Sequence, residues 1–341
     1  MIEEAAKLLL NEWFTAFLNP QKRIFWGYLI SSLIIGFLWL KLVKKNNFWS
    51  SIKQIFDRQV WISRSALADY KVMLINTFLI FLLSPRLLAK ATVAYLVFNG
   101  MHDLFDGRPY LSLDLPQWTI ALTFTLFLFI FDDFARYWLH RLLHTVPTLW
   151  SFHKVHHSAT TLNPFTVFRT HPIEAILFST RSAIVQGITA AIFFFFFGNQ
   201  VTLVMVFGAS IFTFAFNMLG SNLRHSPISV QYWRLLEYIV MSPAQHHIHH
   251  STAKEHINKN FGVALSVWDW MFSSLCLSKA EEQLRFGLSR ENSNRHHSLK
   301  GLYIDPILET GKELFRFLSC QFKFIKNSKY NLKGANMRKV L

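Results

Sequence analysis

Residues 24–43, IFWGYLISSLIIGFLWLKLV, hold a single charge, Lys41, in twenty positions. As a helix rising 1.5 Å per residue, such a run covers the ~30 Å hydrocarbon core of a bilayer. Inside lipid every backbone N–H and C=O must find its partner within the segment, so a run of this kind selects an α-helix. Residues 117–139, 183–197 and 200–219 are apolar in the same way, the last two separated by Gly198 and Asn199. Residues 72–99 are also apolar but are interrupted by Pro85, Arg86 and Lys90. They make either one kinked crossing or two half-helices returning to one leaflet. The fold expected is all-α, a polytopic integral membrane protein with four to six membrane helices. The first twenty residues carry three glutamates and suggest a short amphipathic helix rather than a cleaved signal peptide.

The chain is 52% hydrophobic, and its formal charge of +15 therefore points to basic flanks on anionic lipid rather than to nucleic acid. The segment 44–71, with Lys44, Lys45, Lys53, Arg58, Arg64 and Lys71 against Asp57 and Asp69, is assigned to the cytoplasm. The stretch 100–115, with Asp103, Asp106 and Asp114 against Arg108, falls on the other side. Residues 140–182 and those after 220 then return to the cytoplasm, of a bacterial inner membrane or an endoplasmic reticulum. They bring most of the fifteen histidines with them.

Those histidines are grouped. HRLLH places His140 and His144 four apart at the end of the 117–139 helix. HKVHH, restarted by Pro147, supplies His153, His156 and His157. In SPAQHHIHHS, Ser242 is a good N-cap, Pro243 fits the first helical position and Gln245 completes a capping box. Spacings of three and four then put His246, His249 and His250 on one face, with His247 about 100° away. Two trios and a pair converging without thiolates suit a transition metal, and one ion cannot use so many donors. A dinuclear site in a cytoplasmic, histidine-rich helical cap follows.

His225, in SNLRHS, is a ninth donor. His171, in FRTHPIE, stands between ligand, orienting group and helix cap, and His256 shares the His249 face by spacing. His102, His296 and His297 are expected in loops. A ligating imidazole usually donates its other N–H to a carboxylate or carbonyl. Asp133, seven residues before His140, is a candidate for that role, as are Asp132, Glu174, Glu237 and Asp269. Arg136 could instead neutralise Asp132 and Asp133. Asn222 could offer a carbonyl or hold a water.

HRLLH, HKVHH, HPIE, SNLRH, the SPAQHHIHH run, HINKNFG and WDWMF, in this order, resemble the fatty acid hydroxylase/sterol desaturase superfamily over roughly residues 117–277, with FGL at 286–288 also similar. The resemblance implies a histidine-ligated pair of iron ions, with zinc an alternative occupant in purified protein. It also implies O2-dependent hydroxylation or desaturation of a lipid C–H bond. It carries ligand roles to His140, His144, His153, His156, His157, His225, His246, His249 and His250, and names no catalytic residue beyond them. Many members have a further histidine beside the asparagine before the SNLRH-like stretch; here the run is FNMLGSN, with Met218 and Gly220. The last donor is then His171 with His225, a water on Asn222, or absent from a looser second site. The chain divides on this reading into an N-terminal membrane part (1–115), a catalytic domain (116–277) and a basic cytoplasmic tail (278–341).

No Gly-rich dinucleotide motif or CxxC cluster is present, so electrons come from a separate ferredoxin- or cytochrome-type donor and its reductase. Two other readings remain open: a membrane haem electron carrier and a metal-binding membrane transporter.

Overall fold

A computed structural model of the chain describes residues 11, 14–83, 89–107, 115–202, 205, 211–280, 282–288 and 293–319. Most of the expected N-terminal amphipathic helix, the Pro85–Arg86 break, Arg108, Asp114, the middle of the 200–219 run and everything from residue 320 lie outside these. The longer helices are α1 (Trp26–Leu38, prolonged by a wider π turn Trp39–Val43), α2 (Phe48–Ile55), α3 (Arg64–Leu83), α4 (Lys90–Leu104) and α5 (Gln117–Thr145). After these come α6 (Pro147–His157), α7 (Pro172–Phe197), α8 (Ile211–Met218), α9 (Pro243–His250) and α10 (305–319). No strand occurs among the described residues, only the isolated bridges Val240–Leu265 and Ser251–Phe286.

Among the described residues four helices are long and apolar enough to cross a bilayer: α1 with its π turn, α3, α5, and α7 with the turn after it. Two of them begin earlier than hydropathy indicates. α3 starts at Arg64, so Arg64, Asp69 and Lys71 are helical rather than part of a linker. α7 starts at Pro172 rather than residue 183, because His171 caps it through Ile173 N and Pro172 occupies the first turn.

Contacts down α7 order the interrupted stretch. Asn76 of α3 donates to Thr170 O just above α7, Lys90 Nζ donates to Gln186 Oε1, and the His102 ring lies 5.1 Å from Phe195. The described residues on either side, 64–83 and 89–104, thus run in one direction along α7, as one crossing requires and a re-entrant pair does not. His102 is helical, not in a loop.

At the histidine end, Leu40 and Ile55 pack on Leu223, Ile228 and Val230, while Ala68 and Val72 pack on Val155 and Leu302. The buried Arg169 ties α3 and α6 to the C-terminal segment: it pairs with Asp69 at 3.0 Å and donates to Ser65 O, Val155 O and His296 O, and to His297 Nδ1 at 2.8 Å. His296 and His297 are therefore held against the core. Within the basic C-terminal tail expected from 278, residues between 293 and 310 are docked on the helices. Leu302 completes a core cluster, Tyr303 OH donates to Asn76, Glu309 pairs with Lys154, and Thr310 donates to Thr148 O.

Candidate metal centre

α5 brings His140 and His144 to its last two turns. The two chain starts foreseen at Pro147 and Ser242 then set α6 and α9. The Ser242 capping box is closed in both directions, Gln245 N to Ser242 Oγ at 3.1 Å and Ser242 N to Gln245 Oε1 at 3.0 Å. His225 arrives on the 3₁₀ turn Ser221–His225.

The nine histidines form two groups. His140, His144, His153, His157 and His249 make one; His156, His225, His246 and His250 make the other; within each, one nitrogen per ring lies within 4.8 Å of all the rest. Each HxxHH trio is split between them, against the expectation that it converges on one point. The reason is angular. Residues four apart on a helix lie about 40° from each other, whereas the middle member of the trio lies on the other side, about 60° from the first and 100° from the last. α6 sends its i, i+4 pair (His153, His157) to the first group and His156 to the second. α9 does the reverse, sending His246 and His250 to the second and His249 to the first.

Three Nδ1 atoms of the first group donate outward: His140 to Phe261 O at 2.7 Å, His153 to Glu174 Oε1 at 2.9 Å and His249 to Lys259 O at 2.9 Å. This leaves Nε2 lone pairs directed inward. Nε2 of His144, His157 and His249 is buried without any hydrogen-bond partner. In the second group Nε2 of His225 lies 3.2 Å from that of His156, 3.2 Å from that of His250 and 3.1 Å from that of His246. The His246–His250 separation is 3.2 Å. An ion bound tetrahedrally through ~2.0–2.1 Å bonds sets its donors about 3.3 Å apart.

Burial lowers these basicities, His153 to about 3 and His156 to about 4, and neighbouring imidazoles add to it at His156, His157, His225, His246, His249 and His250, the last five lying well below the usual range. The rings are neutral and able to bind a cation. Converging neutral nitrogens with inward lone pairs and no thiolate fit a transition-metal pair.

The remaining candidates have other tasks. Asp133 does not touch a histidine; it accepts from Ala264 N, Leu265 N and Trp268 Nε1 and thereby anchors the loop after Phe261. Asp132 pairs with Arg136 at 2.7 Å and with Arg181 at 2.8 Å. Asn222 is tied to Arg23, its oxygen accepting from Arg23 Nε and its amide donating to Arg23 O. His171 caps α7 and donates to Tyr303 O, and His256 pairs with Glu282 at 3.3 Å. Glu237 holds Ser242 and Ser278. His247 lies outside both groups, its ring against Phe286. Gly220, at φ 93°, turns the chain from α8 toward His225, and a Cβ there would lie 3.0 Å from Leu223.

Sequence reasoning missed the two carbonyl anchors, Lys259 O and Phe261 O. The HINKNFG run carried their trace: Asn258 and Asn260 adopt φ 59° and 57°, and Asp269 accepts from Phe261 N and Gly262 N.

A family model, fatty acid hydroxylase, matches residues 125–274, a stretch that contains all nine histidines. Residues 125–274 thus carry a fatty acid hydroxylase domain, of the fatty acid hydroxylase/sterol desaturase superfamily. Similar members of this superfamily include an alkylglycerol monooxygenase of Xenopus tropicalis, 27% identical over 54% of this chain and 37% of the relative. The corresponding Homo sapiens protein is 27% identical over 47% of this chain and 32% of its own length. A putative Delta(7)-sterol-C5(6)-desaturase 2 of Arabidopsis thaliana is 25% identical over 73% and 77%. The match thus spans about a third of the length of those alkylglycerol monooxygenases. No solved structure gives a significant match.

Proposed function

We propose that the chain is an oxidoreductase that uses O2 to hydroxylate or desaturate a lipid C–H bond at a pair of iron ions. The observation that carries this reading is the division of nine converging imidazoles, eight buried and His144 half-buried, into two adjoining donor groups. His140, His144, His153, His157 and His249 would hold one ion, and His156, His225, His246 and His250 the other; zinc could take the same places in purified protein. An iron pair supplies the activated oxygen that an unreactive C–H bond requires. The chain's own residues fix the imidazoles: Glu174 orients His153, and the carbonyls of Phe261 and Lys259 orient His140 and His249. His171 and Asn222 serve as cap and tether, and neither supplies a last donor.

The first group's rings have centroids 4.5–5.1 Å apart. That is the spacing of a compact ion cage, not of two imidazoles facing across a macrocycle, which speaks against the haem reading. The catalytic domain is residues 116–277. Lys44, Lys45, Lys53 and Arg58 lie in the connection between α1 and α3, and Asp103 and Asp106 close the far end of α4, which supports a cytoplasmic metal site in an integral membrane protein. Reducing equivalents come from a separate ferredoxin- or cytochrome-type donor and its reductase.

The test compares lipid extracts of cells making the native chain and the His249→Ala chain, with and without oxygen. The native chain should yield lipid carrying one added oxygen or lacking a hydrogen pair. Identical extracts refute the reading.

A further inference from the structure

A cavity of about 490 Å³ opens between α3 and the segment before α1. Met73, Ile80, Val167 and Phe168 form much of its wall. Its polar lining on α3 is already satisfied: Asn76 donates to Thr170 O and accepts from Tyr303 OH, and Thr77 donates to Met73 O. Such a wall takes hydrocarbon.

One side is cationic. Lys22 and Arg23 line it, and among the described residues neither pairs with a carboxylate. Arg23 is held in place, Nε donating to Asn222 Oδ1 and Nη2 to Ser221 O, both at 3.2 Å, on the turn that ends in His225. Arg224 Nε donates to the same Ser221 carbonyl at 3.1 Å, which sets a second, buried guanidinium behind the first. Arg224 is buried and Arg23 half-buried, while Lys22 is exposed; cations partly withdrawn from water without a counter-ion are unfavourable, and an anion at the cavity would offset that.

The position suits a lipid head. Asp132, Arg136 and Arg181 form a charged cluster between α5 and α7, and the Arg136 cation is close enough to act on Arg23. From this level α5 runs back to Gln117, and α7 on to Phe197, without another charged residue.

We propose that this cavity binds the lipid substrate, an amphiphile whose anionic head, carboxylate or phosphate, meets Lys22 and Arg23 while its hydrocarbon chain lies along α3. This rests on the oxidation proposed above. Neutral sterol or glycerol ether heads would leave both cations unmatched, so charge selects the substrate.

The full chain in phosphatidylcholine nanodiscs tests it. Radiolabelled oleate and 1-oleoyl-lysophosphatidate are compared with oleyl alcohol and monoolein for saturable binding. At least one anionic probe should bind about tenfold tighter than its neutral counterpart, about 1.4 kcal/mol. Lys22→Glu, at an exposed position, should erase that preference, and Ala175→Trp, which fills the cavity, should weaken both classes. Equal binding of charged and neutral probes, or selectivity unchanged by Lys22→Glu, overturns the proposal. Binding requires neither metal nor O2. A chain that selects anionic probes yet oxidises no lipid refutes the reaction alone, and one that oxidises lipid without charge selection refutes the cavity assignment alone.

Discussion

His153 Nδ1 lies 2.9 Å from Glu174 Oε1, with both side chains buried. Among the described residues this is the carboxylate contact made by either histidine group, and it reaches across from the first turn of α7 to α6. The bond fixes which nitrogen of His153 faces inward. Glu174→Ala should therefore lower metal affinity about 10–100-fold while helix content is unchanged. Glu174→Gln, which keeps an oxygen acceptor, should recover part of the loss. Chelator competition followed by circular dichroism reads both, and undiminished affinity in the alanine chain would show that the contact is only structural.

Splitting the trios makes the two groups separately removable. His246→Ala with His250→Ala deletes half of the four-histidine group and leaves all five rings of the other. Metal analysis should fall from about two ions per chain to about one. The matching pair His144→Ala with His157→Ala should do the same from the other side. Loss of every ion in either double variant would contradict separate cages.

Asp133→Ala leaves Ala264 N, Leu265 N and the Trp268 indole N–H without their acceptor. Each buried orphan is worth about 1–3 kcal/mol, so the expected destabilisation is about 3 kcal/mol or more. The loop that suffers also carries Phe261 O, so the same variant should bind metal more weakly. Thermal unfolding in detergent, with metal saturating and with metal removed, measures both effects.

Acid should destabilise the metal-free chain within a defined window. Burial holds His153 at about 3 and His156 at about 4, whereas an unfolded imidazole titrates near ~6.5. Below ~6.5 the unfolded state binds protons that the native state refuses, so stability falls as pH drops toward about 4 and is flat above ~6.5. Unfolding midpoints of the metal-free protein between pH ~8 and ~4 should trace that curve, and a midpoint constant through the window would contradict neutral rings.

Much of this centre was legible because its parts are local. Pro147, Ser242, Pro243 and Gln245 announce where two helices begin, and spacing alone nominates the histidines. What stayed hidden depends on how separate segments meet. The 60° turn between His153 and His156 matters only once α9 faces α6 with its own pair displaced the other way. Asp133 does share a helix face with His140, but the 264–268 loop arrives first and takes its oxygens. Lys259 and Phe261 act through carbonyls, which no side-chain pattern advertises. The docking of Leu302 and Tyr303 likewise depends on a distant surface, where Ala68, Val72 and Asn76 wait on α3.

His156 and His157 are joined by one peptide bond inside α6, yet they serve different cages. The gap between two ions held there would thereby be templated by covalent backbone rather than by an adjustable contact between domains. Such a pair cannot close like jaws around a guest during turnover. On the proposed reaction a lipid would have to slide to a fixed anvil, and the chain's freedom to evolve new guests would lie in the walls that steer it there.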